Sequence, residues 1–372
     1  MDIPPFALER YFGRYEFSAP YMLSAADCES WTPGEIFALE PGSLDAFCAM
    51  RLMYTESQGD PCLRNEISAL SGDIGPENCV VFAGAEEGIF ITMHALLSPG
   101  DHVIVLFPAY QSLHEVARYL GADVSYWRMH ETDGWRPSMD ELRGLIRPET
   151  RCIIVNTPHN PTGFHFSAAE MAELIGIAED HGIRLFCDEV YRFGEYDPQA
   201  LLPAVASQYP KGISLGVMSK SFGLPGLRLG WVATQDADLV RRILVWKDYT
   251  TICTSAPAEF LAAIALRNAE TLIARNRAIM NENRTLLLDF FARHPDLFTC
   301  ETPFAGPVCF PRYLGREGAP AFCDTLIRET GVTLLPSTVF GENNEHIRFG
   351  FGRKDMIAAL TVLEEYLAQK KR

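Results

Sequence analysis

From about residue 79 the chain alternates short apolar segments with longer segments of helical periodicity. Apolar strands that alternate with helices predict a mostly parallel sheet covered on both faces, because such strands must be buried on both sides. Ligands bind such sheets at the carboxyl ends of the strands. The predicted strands are 79–83, 102–107, 123–127, 151–156, 183–188, 213–218 and 230–234. The predicted helices between them are 85–97, 110–120, 138–146, 168–181 and 236–248.

The pattern changes after about residue 255. Two helices are predicted over 256–277 and 279–293, and an α+β stretch follows that ends in an amphipathic helix over 354–369. We therefore expect a large domain over residues 41–255 and a small domain over residues 256–372. An N-terminal arm, residues 1–40, is expected to join the small domain.

Composition excludes several classes of protein. The net charge of −16 disfavours binding to nucleic acid. None of the ten cysteines forms a C-x-x-C pair, which favours reduced cysteines in a cytoplasmic protein over disulfides or a metal site. No apolar segment approaches the ~20 residues of a membrane span. The N-terminus also lacks the basic and apolar regions of a signal peptide. We expect no metal, no nucleic acid and no membrane partner.

Four short segments at the ends of predicted strands contain reactive or phosphate-binding residue types. Asp188 stands at the end of the apolar run 183–187, where a carboxylate needs a partner because an unpaired buried charge is costly. A strand that turns through Gly84 into a helix offers free N–H groups and a positive dipole end to a phosphate. The segments are A-G-A-E-E-G (83–88), N-T-P-H-N-P-T-G (156–163), C-D-E-V-Y (187–191) and S-K-S-F-G-L-P-G-L-R-L-G-W (219–231).

Each segment alone is a weak signal, but their order and spacing are specific. Asp188 follows Asn160 by 28 residues, Lys220 follows Asp188 by 32, and Arg228 follows Lys220 by eight. In this combination the chain resembles the class I/II aminotransferases, pyridoxal-5′-phosphate (PLP) enzymes of the aspartate aminotransferase fold, fold type I. The resemblance implies an α/β fold with a mostly parallel seven-stranded sheet flanked by helices, plus a smaller α+β domain. It also implies a homodimer with shared active sites that acts on an L-amino acid and a 2-oxo acid.

The resemblance assigns the chemistry of the cofactor ring to four residues. Lys220 is expected to form the Schiff base with PLP and to move the proton at the substrate Cα. Asp188 is expected to pair with the pyridine nitrogen and make the ring an electron sink. Tyr191 and Asn160 are expected to hydrogen-bond the 3-oxygen of the ring.

The resemblance assigns the remaining contacts as well. Ser219, Arg228 and the turn at Gly84, with the N–H groups of Ala85 and Glu86, are expected to bind the phosphate. Tyr110 is expected to stack on the ring. Arg348 is expected to bind the substrate α-carboxylate together with Asn160. Tyr54 is expected to reach the phosphate bound by the partner subunit.

Two positions depart from the family pattern. Val217 stands where relatives often carry Ser or Thr, so one phosphate contact is expected to be missing and Ser219 or Ser221 to replace it. The segment D-Y-T-T-I-C-T-S-A-P (248–257) contains no arginine, which argues against aspartate or glutamate as the main substrate.

Two reaction types stay open. The segments L-P-G-L-R-x-G-W and K-D-Y-T-T also resemble capreomycidine synthase, a PLP-dependent lyase/cyclase that acts on a cationic, arginine-like amino acid. Asp27 and Glu29 lie in the N-terminal stretch and are candidates to meet such a side chain. Transamination is the main expectation, and the lyase/cyclase reaction is the alternative. A non-catalytic effector sensor behind a DNA-binding helix-turn-helix is disfavoured because the sequence shows no basic N-terminal domain. A degenerate scaffold without PLP is disfavoured because the expected cofactor residues are all present, namely Asn160, Asp188, Tyr191, Lys220 and Arg228.

Overall fold

The structure is a computed structural model that describes residues 2–72 and 74–370. Its helices are α1 (Ala7–Tyr15), α2 (Pro33–Ala38), α3 (Ser43–Ala49), α4 (Pro61–Leu70), α5 (Ala85–Leu96), α6 (Ser112–Tyr119), α7 (Met139–Leu145), α8 (Ala168–Asp180), α9 (Val205–Gln208), α10 (Ala237–Lys247), α11 (Ala256–Arg267), α12 (Ala269–Arg293), α13 (Ala319–Thr330) and α14 (Met356–Lys370). Its strands are β1 (Tyr21–Met22), β2 (Cys79–Phe82), β3 (His102–Phe107), β4 (Asp123–Arg128), β5 (Thr150–Asn156), β6 (Arg184–Asp188), β7 (Gly212–Val217), β8 (Gly230–Ala233), β9 (Phe298–Thr299), β10 (Val308–Cys309), β11 (Arg312–Tyr313), β12 (Val332–Thr333), β13 (Leu335–Pro336) and β14 (Ile347–Gly350).

A seven-stranded sheet in the order β2-β8-β7-β6-β5-β3-β4 forms the centre of the fold. All its strands run in one direction except β8, which is antiparallel to both β2 and β7. These are the seven predicted strands, and each bound lies within one residue of the prediction. The mostly parallel α/β sheet is therefore confirmed.

Helices cover both faces of this sheet. Val103 and Val105 of β3 pack with Ile89 of α5 and Leu239 of α10 on one face. Ile104, between them, packs on the other face in a cluster with α7 and α8. Successive side chains of a strand point to opposite faces, so a continuous apolar run means that both faces are buried.

The break between the two long helices after residue 255 was predicted wrongly. It falls at Asn268 rather than near residue 278. Asn268 leaves the helical conformation, with φ −111° and ψ 26°. Its side-chain amide donates to the Ile264 carbonyl at 2.9 Å and to Glu40 at 3.1 Å. An asparagine that bonds the preceding turn competes with the helix, and here it ends α11.

The C-terminal part of the chain has its own apolar cluster. Strands β10, β14 and β13 form an antiparallel sheet. Strand β1, near the N-terminus, pairs in parallel with β12, and the next residue, Leu23, is fully buried in the C-terminal cluster with Phe291 and Phe349. The division into residues 1–40, 41–255 and 256–372 stays a prediction. Among the described residues, no helix is long and apolar enough to cross a membrane.

Candidate active site

A cavity of about 360 Å³ opens at the carboxyl edge of the central sheet, where β5, β6 and β7 end. Its volume is typical of a small-molecule site. Ten of the twelve predicted site residues line it, and Gly84 and Tyr54 do not. The ten are Ala85, Glu86, Tyr110, Asn160, Asp188, Tyr191, Ser219, Lys220, Arg228 and Arg348.

Asp188 is the last residue of β6 and is almost fully buried, with 4% of its surface exposed. Its Oδ1 accepts a hydrogen bond from the Val190 N–H at 3.1 Å. Burial raises the pKa of Asp188 to about 7, against the opposing effects of this hydrogen bond and of the Lys220 charge. No Lys, Arg or His in the described residues lies within ion-pair distance of it. The carboxylate is thus placed to pair with a positively charged N–H inside the cavity.

Lys220 enters the same cavity from the loop that follows β7. Its Nζ lies 5.8 Å from the centre of the Tyr191 ring. Tyr191 is itself buried, and burial raises its pKa while the positive charges of Lys220 and Arg348 lower it. The amine and the phenol therefore share one electrostatic environment next to Asp188.

A phosphate-sized cradle lies where β2 turns into α5. Gly84 has φ +95° and no side chain to cap α5, so the N–H groups of the first helical turn are open. The Arg228 guanidinium is so close that a Cβ at Gly84 would lie 2.8 Å from its Nη2. The Ser219 hydroxyl is buried and has no hydrogen-bond partner within the described chain. Val217 lines the cavity nearby with a side chain that cannot donate.

Arg348 lies on β14 and is 1% exposed. Its Nη1 donates to Asn160 Oδ1 at 2.9 Å and its Nη2 to the Ser24 carbonyl at 2.7 Å. Burial lowers the pKa of Arg348 to about 10, which still leaves it charged at neutral pH. The structure thus joins the two residues that the sequence predicts for the substrate carboxylate.

Helix α1 covers the cavity, which the sequence did not predict. Leu8, Glu9 and Phe12 line the cavity from this helix, and Glu16 follows at its end. The Tyr110 hydroxyl donates to Glu9 Oε1 at 3.1 Å and so connects the expected stacking ring to α1. No motif marks α1 as part of a site, because its role depends only on where it packs.

The two acidic candidates of the N-terminal stretch differ. Asp27 lines the cavity and holds Arg353 through two hydrogen bonds of 2.9 and 2.7 Å. Glu29 does not line it and instead accepts from the Lys354 N–H at 2.9 Å. Arg353 also lines the cavity and was missed by the sequence analysis. Its position in the segment F-G-F-G-R, five residues after Arg348, is the one signal that could have indicated it.

The model of the family "Aminotransferase class I and II" matches residues 46–361. The chain belongs to this family. Capreomycidine synthase from Streptomyces vinaceus is 30% identical over all of this chain and 95% of that protein. A PLP-dependent aminotransferase from Streptococcus suis has a TM-score of 0.93 at 32% identity, covering 99% of both chains. The PLP-dependent cyclase OrfR has a TM-score of 0.91 at 28% identity, covering all of this chain and 98% of that one.

PLP is the cofactor of this class I/II enzyme, and the cavity fits it. The buried Asp188 carboxylate suits the ring nitrogen. The Ser219 hydroxyl without a partner, the open N-terminus of α5 and the Arg228 guanidinium suit the phosphate. Lys220 supplies an amine in the same cavity.

Gly84→Ala should weaken PLP binding by about tenfold or more, because the added Cβ meets the Arg228 guanidinium. Gly100→Ala is the matched control, since Gly100 has a similar φ of +90° but open space around its Cβ position. Both variants should lose stability because an alanine at positive φ strains the backbone. Equal PLP affinities in the two variants, measured by fluorescence titration, would refute the claim that the turn at Gly84 binds the PLP phosphate.

Proposed function

We propose that the chain is a PLP-dependent aminotransferase that moves an amino group between an L-amino acid and a 2-oxo acid. The observation that carries the proposal is the convergence of Lys220, Asp188 and the Arg348–Asn160 pair in one cavity. A base, a partner for the cofactor ring and a carboxylate-binding arginine are the groups that this reaction needs from the protein.

Each of these residues has a role that follows from its position. Bound PLP supplies a ring that withdraws electrons from the substrate Cα. Asp188 holds the proton on the ring nitrogen, and its burial strengthens that interaction. The Lys220 amine would remove the Cα proton of the amino donor in one half-reaction and deliver a proton to Cα of the acceptor in the other. Arg348 and Asn160 bind the α-carboxylate, and α1 limits the access of water.

Lys220→Ala should abolish turnover and the covalent attachment of PLP. Borohydride reduction followed by peptide mass spectrometry should find the cofactor on Lys220 in the wild type and on no residue in the variant. Lys211→Ala is the control, because the Lys211 amine donates to the Gly182 carbonyl outside the cavity. Covalent PLP in Lys220→Ala would refute the assignment.

Single additions of the twenty amino acids and of 3-hydroxyarginine to the holoenzyme test the reaction type. Release of a matching 2-oxo acid would support transamination and identify the donor. An eliminated or cyclised product without a 2-oxo acid would contradict it and favour the second candidate below.

We further propose a homodimer, the assembly in which Tyr54 would reach the partner's site. Tyr54 is 90% exposed, and Leu52 and Met53 beside it are also exposed. The exposed Tyr249 and Ile252 lie in the adjacent segment, because Thr55 bonds the Thr254 carbonyl at 3.4 Å. Neighbouring exposed apolar side chains of this kind are typical of an interface between subunits.

A mixture of Lys220→Ala and Tyr54→Ala tests the shared site. A hybrid dimer would contain one site with an intact lysine and an intact tyrosine from the partner subunit. Co-refolded variants should therefore regain activity well above the sum of the two separate proteins. A monomer in light scattering, or no gain on mixing, would contradict the shared site.

The second candidate function is a lyase/cyclase reaction on a cationic amino acid. Besides Asp188 and the paired Asp27, three carboxylates line the cavity, those of Glu9, Glu16 and Glu86. Burial and, to a smaller extent, the Glu9 charge raise the pKa of Glu86 to about 7. A cationic side chain would compensate these carboxylates. The similarity to capreomycidine synthase and to the cyclase OrfR also supports this candidate.

A cationic substrate should bind better as Glu86 ionises. Below its pKa of about 7 the Glu86 carboxyl is neutral, and above it the negative charge attracts a cation. KM for arginine or 3-hydroxyarginine, relative to a neutral amino acid, should therefore fall several-fold as the pH rises through about 7. Glu86→Gln should remove this dependence, and Glu29→Gln, outside the cavity, should keep it. An unchanged pH profile in Glu86→Gln would contradict the candidate.

A further inference from the structure

A second cavity of about 670 Å³ shares no lining residue with the candidate active site. One wall comes from His165, Ser167 and Tyr196, near the central sheet. The other comes from α12 and from residues 302–304. Its volume is within the range of small-molecule sites.

Arg284 of α12 is the charged group that distinguishes this cavity. Its guanidinium carbon lies 4.1 Å from the centre of the Tyr196 ring, and the Tyr196 hydroxyl is fixed by the Gly306 carbonyl at 2.6 Å. Its Nε is buried, and within the described residues its guanidinium forms neither a hydrogen bond nor an ion pair. An arginine held by an aromatic ring with its donors free is well suited to a carboxylate.

None of the other described groups of the cavity forms an ion pair with Arg284. Arg136 is already paired with Glu170. Both ring nitrogens of His165 have partners, Thr157 Oγ1 and the Ala200 carbonyl, each at 3.0 Å. Burial lowers the pKa of His165, so the ring is neutral.

Asn281 lies one helical turn before Arg284 on α12 and adds a hydrogen-bond acceptor to the cavity. Asn281 Oδ1 is buried and has no donor in the described structure. The Asp197 carboxylate is exposed at the same cavity. A simple anion would satisfy Arg284 but would leave Asn281 Oδ1 without a donor, whereas a ligand with both a carboxylate and an ammonium group satisfies both.

We propose that this cavity is a binding site for a free amino acid, separate from the active site. The carboxylate binds Arg284, the ammonium group binds Asn281 Oδ1 and Asp197, and the side chain packs on Pro303 and Phe304. Phe304 is 54% exposed, so it offers apolar surface to a ligand.

The site connects two parts of the molecule. The Phe304 and Ala305 N–H groups donate to the Gly163 carbonyl at 2.8 and 3.2 Å, and Gly163 closes the turn that contains Asn160. A ligand bound between α12 and Tyr196 therefore stabilises the contact between residues 304–305 and the turn that ends at Gly163. Binding to the folded state alone raises the melting temperature with ligand concentration.

The test uses borohydride-reduced holoenzyme, which does not turn over. Each of the twenty amino acids is screened by thermal shift at up to ~10 mM, and calorimetry then counts the binding sites. We expect at least one amino acid to fill a second site. Arg284→Gln should weaken that site by about tenfold or more, and Arg348→Gln should leave it unchanged. Arg328→Gln, an exposed arginine on α13, is the surface control.

Asn281→Leu is a second variant that leaves the Arg284–Tyr196 stack in place, and it should also weaken the site. Melting curves of each variant show that it is folded. The proposal is overturned if none of the amino acids saturates a second site, if inorganic phosphate binds there and no amino acid does, or if the folded variants Arg284→Gln and Asn281→Leu bind as the wild type does.

Discussion

The active site is organised around a carboxylate that is buried without a cationic protein partner. Asp188 lies at the end of a central strand, where Asn156 and Leu215 are its neighbours in register. An unpaired charge in such a place is costly, and burial accordingly raises the pKa of Asp188 to about 7. In the function proposed above, the protonated ring nitrogen of PLP would supply the missing partner. The stability of the bound cofactor and its ability to withdraw electrons would then depend on one interaction.

The parts of the fold that depend on local sequence were predictable. The strands of the central sheet are continuous apolar runs, and their bounds follow from where each run stops. Asp188 ends one of these strands, and Asn160 and Lys220 lie in the loops that follow two others. Parallel strands place such residues at one edge of the sheet. Their ordered spacing then identified the family, which the match over residues 46–361 confirms.

The parts that depend on contacts between distant segments were not predictable. Helix α1 covers the cavity because Tyr110 bonds Glu9 and Gln111 bonds the Ala7 N–H, contacts that span about a hundred residues. Arg353 enters the cavity because Asp27 holds it. The break at Asn268 is set partly by Glu40, far away in sequence. None of these contacts leaves a periodic or motif signal.

The most direct test of the account is the single-turnover rate of Asp188→Asn with a reactive amino acid. The amide is close in size to the carboxylate but carries no negative charge to hold a proton on the ring nitrogen. PLP should still attach to Lys220, while proton removal at Cα should slow by about a hundredfold or more, the effect of losing one strong electrostatic contact. A rate close to that of the wild type, with PLP fully bound, would contradict the central role of the buried carboxylate.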